Sequence, residues 1–171
     1  MRLRRKVCLL GAPGVGKTSL VRRFVEGKFD PDYELSVAMA IFKRTVGIGD
    51  ISLQMVLWDP EGREGAAQYN ASFISGASGL MFVVDGTKPR TLDHLLEAHT
   101  KGRGFIGSRP AVLIVNKSDL TADFALTKSQ VDAAGKLDWH LIQASAKAGD
   151  NVDEAFMKLA ELMLEVRKAS A

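Results

Sequence analysis

The eight residues GAPGVGKT, Gly11 to Thr18, restrict the fold more than any other stretch of the chain. They satisfy G-x-x-x-x-G-K-[ST] at every fixed position. The run before them, KVCLL (6–10), is apolar and short, as suits a strand buried on both faces of a parallel sheet. The run after them, TSLVRRFVEG, spaces its apolar residues as a helix does. Glycines let such a loop turn its N–H groups inward onto an anion, and the following helix adds the positive end of its dipole. A strand that passes through a tight loop into a helix opens a right-handed βαβ unit. That commits the chain to a parallel sheet covered by helices.

The rest of the chain repeats this rhythm. LMFVVD (80–85), AVLIVN (111–116) and the shorter WHLIQ (139–143) read as further strands, with helical spacing between them. The expectation is an α/β fold with a doubly wound sheet. With 171 residues, no internal repeat and no linker, it should form one domain spanning 1–171. AIFKRTVGIGDISLQMVLW departs from the pattern. Two strand-like runs flank Gly49-Asp50, a hairpin signal, and Ile51, Leu53, Met55 and Leu57 alternate with more polar neighbours. One antiparallel edge strand is therefore expected. Thr127 with Gln130 resembles a capping box, with Gly135 placed to end that helix. Asn151 with Glu154 resembles a second such start. After it, Val152, Phe156, Leu159, Met163 and Val166 share one helical face that should pack on the sheet.

Composition narrows the setting. A net charge of +3 is too mild to indicate nucleic acid, and the basic run RLRRK reads as a solvated tail before the first strand. The single cysteine, Cys8, permits no internal disulfide and fits a reducing compartment. No apolar run would span a bilayer, no signal peptide is visible, and the final VRKASA has no cysteine to prenylate. These features predict a cytoplasmic protein without a lipid anchor. His94, His99 and His140 do not have the spacing of a metal site.

The loop's chemistry is that of a nucleotide site. Gly14, Val15, Gly16, Lys17, Thr18 and Ser19 form the phosphate-binding stretch. Lys17 is long enough to reach β- and γ-phosphates, and the Thr18 hydroxyl suits Mg²⁺. NKSD, Asn116 to Asp119, comes directly after a buried-strand run, at the strand end where ligands of open α/β sheets bind. A carboxylate at Asp119 can accept two hydrogen bonds from guanine N1–H and its 2-amino group. Adenine has no such pair of donors and would leave the carboxylate unpaired. The Lys117 stem can lie on the base. SAK (Ser145, Ala146, Lys147) can bring a backbone N–H to guanine O6. DPEG, Asp59 to Gly62, has the D-x-x-G spacing of a loop under a metal-bound phosphate.

With these motifs in this order, the chain resembles the Ras superfamily of small GTPases over almost its whole length. FVEGKF, the tryptophan in LWD and GASGLMFVVDGT make it most similar to Rab-type proteins and their bacterial and archaeal relatives. The resemblance implies a P-loop NTPase fold with a six-stranded, mostly parallel sheet, about five helices, GTP and GDP as ligands, Mg²⁺ and two switch segments. It gives Phe29 an edge contact with guanine and gives Asn116 the bracing of the phosphate loop. It sets Lys117 and Asp119 on the base and the Ala146 backbone on O6. Thr18, Ser36 and, through water, Asp59 would hold Mg²⁺, and the Gly62 N–H would sense the γ-phosphate. Ile41, Trp58 and Phe73 correspond to an aromatic triad that Rab-type proteins present to effectors. Roadblock (LC7) proteins are candidate partners by the same resemblance.

Four departures bear on activity. Switch I, FDPDYELSVAMA, has Ser36, Val37 and Ala38 where the family has threonine, isoleucine and glycine after Tyr33. Pro13 would stand near the γ-phosphate. Pro60 and Glu61 replace a common threonine-alanine, and Glu61 or Glu64 could pair with Arg63. Arg63 itself occupies the place of the glutamine that orients the attacking water. Arginine has five donors and no acceptor, so it cannot take over that task. It could instead neutralise charge at the γ-phosphate, beside Lys17 and Gly62, a role worth about 10³–10⁵ in rate for a well-placed arginine. The readings open at this point are a GTP-hydrolysing signalling switch slowed at switch II and a GTP-bound interaction module that does not hydrolyse. An ATP-using P-loop enzyme is opposed by Asp119.

Overall fold

The computed structural model describes residues 1–27, 39–60, 71–101 and 107–169, without the side chains of 166–169. The expectations for Phe29, Tyr33, Ser36, Val37, Ala38, Glu61, Gly62, Arg63 and Glu64, and for the Val166 side chain, fall outside the described residues.

The elements run β1 (Arg2–Leu10), α1 (Lys17–Glu26), β2 (Ala40–Ile48), β3 (Ile51–Asp59), α2 (Ala71–Ile74), β4 (Gly79–Asp85), α3 (Arg90–Lys101), β5 (Ala111–Asn116), α4 (Lys128–Gly135), β6 (His140–Gln143) and α5 (Val152–Ala169). The six strands form one sheet in the order β2-β3-β1-β4-β5-β6. Among the described residues, only the β2–β3 pair is antiparallel. Its two-residue turn is the Gly49-Asp50 pair, with Gly49 at φ 53° and Ile48 opposite Ile51. The strand order reverses at β1, between β3 and β4. The carboxyl end of β1 is thus the crevice where such sheets bind ligands, and GAPGVGKT begins there.

Two apolar layers enclose the sheet. Val7 and Leu9 of β1 face Leu20, Val21 and Phe24 of α1 and Phe156 and Leu159 of α5. Cys8 and Leu10 face the other way, towards Phe73, Leu92 and Leu95. Every residue of β4 and β5 is buried, which explains why those strands read as unbroken apolar runs rather than alternating ones. Phe24 and Phe156 stack with centroids 4.1 Å apart and ring planes 5° from parallel, tying α1 to α5.

Two sequence expectations are corrected. RLRRK is not a tail: β1 starts at Arg2 and pairs in parallel with β3 from Arg2 opposite Ser52. A strand can carry charges at alternate positions where one face of the sheet has no helix over it, and Arg2 and Arg4 are exposed in that way. Asn151 does stand at the start of α5, its carbonyl accepting the Ala155 N–H at 3.1 Å, but its side chain is engaged elsewhere. Its φ is 55°, and its side-chain amide donates to the Gln143 carbonyl at 2.9 Å, so it closes the turn after β6 instead. The capping box at Thr127 and Gln130 does form, with both reciprocal bonds made.

Candidate nucleotide-binding site

The phosphate loop leaves β1 and enters α1 through Gly16, which has φ 97°. A Cβ there would lie 2.3 Å from Asn116 Nδ2, so both conformation and space require glycine. Lys17 is 9% exposed and folds its ammonium back into the loop, donating to the Gly11 carbonyl at 2.8 Å and the Ala12 carbonyl at 3.1 Å. Burial pushes the Lys17 ammonium below the ordinary lysine range, with the Asp59 carboxylate opposing that shift. A cation concentrated in a glycine cradle at a helix N-terminus suits a multiply charged anion.

One step along α1, the Thr18 hydroxyl donates to Asp59 Oδ2 at 2.5 Å. Asp59 ends β3 and is fully buried. A hydroxyl and a carboxylate meeting beside the loop are hard oxygen donors, the set that Mg²⁺ prefers. The residues present therefore fit that ion.

Asn116, 2% exposed at the end of β5, joins the two halves of the site. Its Nδ2 donates to the Val15 carbonyl at 2.8 Å, and its Oδ1 accepts the Ala146 N–H at 3.1 Å. The same N–H assigned to guanine O6 is thus held by Asn116. Lys117 has φ 67°, a left-handed conformation that lifts its side chain towards the phosphate loop. Its Nζ donates to the Gly14 carbonyl at 3.1 Å and to Asp85 Oδ2 at 2.6 Å. Asp119 Oδ1 accepts from the Ser145 hydroxyl at 2.6 Å, which itself accepts the Ala148 N–H at 2.9 Å. Between these loops lies a cavity of about 320 Å³. Gly14, Gly16 and Ser19 line one side, with Asn116, Lys117, Asp119, Ala146 and Lys147 across from them. Motifs separated by about a hundred residues in sequence thus share one concave site of ligand size.

Two residues of this network carry no motif. Asp85, at the end of β4, has a fully buried carboxylate that holds Lys117 Nζ on one oxygen. On the other it accepts the Thr87 N–H and hydroxyl. A carboxylate closing an otherwise apolar strand was the available signal. Arg23 of α1 donates through Nε to the Ala146 carbonyl at 2.9 Å and through its guanidinium to the Lys147 carbonyl, bracing the SAK loop from behind. Nothing local in the sequence marks it.

The sequence model of the Ras family matches residues 6–165. The chain belongs to the Ras family. It is also 34% identical over 162 residues to the Ras-related protein SEC4 of Saccharomyces cerevisiae, covering 94% of this chain and 75% of that protein. It is a Rab-like small GTPase of the Ras superfamily, a GTP-binding switch with the family's P-loop fold and GTP-hydrolysing activity. Members of this family bind GTP, GDP and Mg²⁺ and work through effectors and regulators. Of this GTPase's three triad positions, Ile41 is 49% exposed and Trp58 is half-buried. Phe73, at 7%, is turned into the core, so core packing accounts for it, whereas Ile41 and Trp58 keep surface in contact with solvent.

Proposed function

We propose that the chain is a slow GTP-hydrolysing switch, built from residues 1–171 as one G domain and acting in the cytoplasm, with switch II altered at Arg63. The observation that carries this reading is the Asn116 bridge between Val15 and Ala146, which supports one ligand spanning both loops. In this reading the N–H groups of Gly14 to Ser19 take the α- and β-phosphates, and Lys17 neutralises the β- and γ-phosphates. The Asp119 carboxylate, oriented by Ser145, accepts the two guanine donors, while Lys117 and Phe29 flank the base and the Ala146 N–H turns from Asn116 Oδ1 to guanine O6 when the base enters. Thr18, Ser36 and, through water, Asp59 would hold Mg²⁺, which would supply neutralisation of phosphate charge. Gly62 reports the γ-phosphate to switch II.

Hydrolysis needs a water held in line with the γ-phosphate. Arg63 offers only donors, so it cannot orient that water as glutamine does. Intrinsic turnover should be at or below about 10⁻⁴ s⁻¹, the order of ordinary small GTPases. A partner, for which roadblock-type proteins are candidates, would supply the missing positioning. The test is single-turnover hydrolysis of preloaded GTP by the native chain, Arg63→Gln and Arg63→Ala. The reading expects Gln to accelerate and Ala to match native. Slowing by both would make Arg63 a catalytic residue. Bound GTP unchanged over many hours would replace the switch by a non-hydrolysing interaction module. Competition between ATP and GTP checks Asp119, since strong ATP binding would overturn the guanine assignment.

A further inference from the structure

On the outer side of the half-sheet built from β1, β3 and β2, Cys8 and Leu10 meet Phe73, Leu92 and Leu95 at the carboxyl end of β1, while Arg2, Arg4, Ile41 and Lys43 are exposed. The inner side of this half-sheet packs on α1 and α5. On the outer side, register sets Lys6 beside Val56, Val56 opposite Lys43, and Trp58 opposite Ile41. Arg2 and Arg4 extend that row along β1. This face therefore carries Arg2, Arg4, Lys6 and Lys43, with no aspartate or glutamate at any of its strand positions. The chain as a whole is nearly balanced, with 23 Lys and Arg against 20 Asp and Glu, so four cations and no acid on one face is a local concentration.

The face is also concave. A hollow of about 510 Å³ is lined by Arg4, Lys6, Ile41, Lys43, Val56 and Trp58. Three of its six lining residues, Ile41, Val56 and Trp58, are apolar, and Ile41 is one of few large apolar side chains left exposed among the described residues. One cation is fixed in place. Lys6 Nζ donates to the Phe73 and Ser75 carbonyls, both at 2.7 Å, and sits 4.1 Å from the Trp58 ring centre. A charge held in this way loses little freedom when a partner arrives.

Resting on the reading of Ile41 and Trp58 as part of a partner face, we infer that this hollow docks an acidic segment of another protein. Carboxylates of that segment lie against Arg4 and Lys43, and one apolar side chain enters between Ile41, Val56 and Trp58. Charge complementarity selects the acid, and the apolar lining residues select a polypeptide. A flat anionic bilayer would meet protruding cations rather than cations ringing a hollow, and a phosphate backbone has no side chain for the apolar residues.

The test uses the full chain and a set of synthetic twelve-residue peptides, each with several Asp or Glu around one Leu, Phe or Trp. Backbone amide shifts of the isotope-labelled native chain are followed during titration. The expected result is saturable shifts at Ile41, Lys43, Val56 and Trp58 that weaken with added salt. Peptides with Lys in place of the acids should give no shifts. The Arg4→Glu/Lys43→Glu double variant should bind about tenfold more weakly or worse while still loading GTP. Absence of shifts with every peptide, or shifts centred elsewhere, would overturn the inference. So would phosphatidylserine vesicles binding this face in preference to the peptides. The readout is separable from the switch reading: GTP retention and hydrolysis are measured on the same native sample, and their failure would leave the amide map interpretable.

Discussion

Removing the charge of Asp85 while keeping its shape tests whether this buried carboxylate positions Lys117 for the nucleotide. In Asp85→Asn, the amide oxygen can still accept from Thr87, whose N–H and hydroxyl lie 2.9 and 2.7 Å from Oδ1. The amide NH₂ then faces Lys117 Nζ, a donor against a donor, in place of a 2.6 Å charge-assisted bond. Such bonds are worth about 1.5–3 kcal/mol when one partner is charged. The Lys117 side chain is 29% exposed, so water recovers part of the loss, and about 2 kcal/mol is expected. For a chain of this size that lowers Tm by about 4–8 °C. Lys117 also links NKSD to the Gly14 carbonyl, so part of the loss should appear in the bound state. A share of about 1.4 kcal/mol corresponds to roughly tenfold faster release of a fluorescent GDP analogue. Thr87→Val is the control. It leaves Lys117 paired, so it should cost about 1 kcal/mol of stability and leave release unchanged. Native release from Asp85→Asn, or equal acceleration by Thr87→Val, would refute the positioning role. A pH signature accompanies it. Burial alone would raise the Asp85 carboxyl, but the Lys117 and Thr87 hydrogen bonds together outweigh it and hold the group below its ordinary value of 3.8. The folded state therefore gains stability from this carboxylate above 3.8 and loses it as pH falls from there through the lowered folded value. Asp85→Asn should flatten that acid limb.

Gly16→Ala combines a left-handed φ of 97° with a 2.3 Å approach to Asn116 Nδ2, and it should weaken GTP binding about a hundredfold by calorimetry. Near-native affinity would mean that the loop adapts. Lys17→Met should abolish GTP binding while leaving the nucleotide-free chain as stable or more so. The lowered folded pKa means that the folded chain binds fewer protons than the unfolded one, so native stability should rise from neutral towards alkaline pH and the variant should lose that rise. Urea midpoints of both proteins, measured at neutral and at alkaline pH, decide it. Phe156→Ala removes one ring of a buried stack at 4.1 Å and should cost about 3–5 kcal/mol in urea unfolding, with the β1–α1 loop chemistry intact. A loss below about 1 kcal/mol would show that the α1–α5 interface closes over the cavity.

Much of the fold was legible because its signals are local. Gly49-Asp50 can only make a tight turn of the right hand, so the antiparallel pair follows from two residues and their flanks. Gly16, Lys17 and Thr18 follow one another on the chain, and β4 and β5 are apolar up to their last residues, Asp85 and Asn116, because both faces are covered. What escaped depends on neighbours distant in sequence. The charges of RLRRK looked like a tail because nothing in those residues announces that β3 will pair beside them. Asn151 matched a cap and does precede α5, but that its amide NH₂ would donate to the Gln143 carbonyl depends on β6 being in place.

The sequence by itself determined the strand–loop–helix opening, the guanine-reading residue types and the family to which they belong, since each rests on residues at fixed short spacing. Only the tertiary structure decided that Asn116 would bridge Val15 and Ala146, that Asp85 would hold Lys117, and that Arg23 would support the SAK loop. It also gathered Arg4, Lys6 and Lys43 around one hollow. These contacts join residues up to 123 positions apart, and they exist because parallel strands carry distant loops to one edge of the sheet.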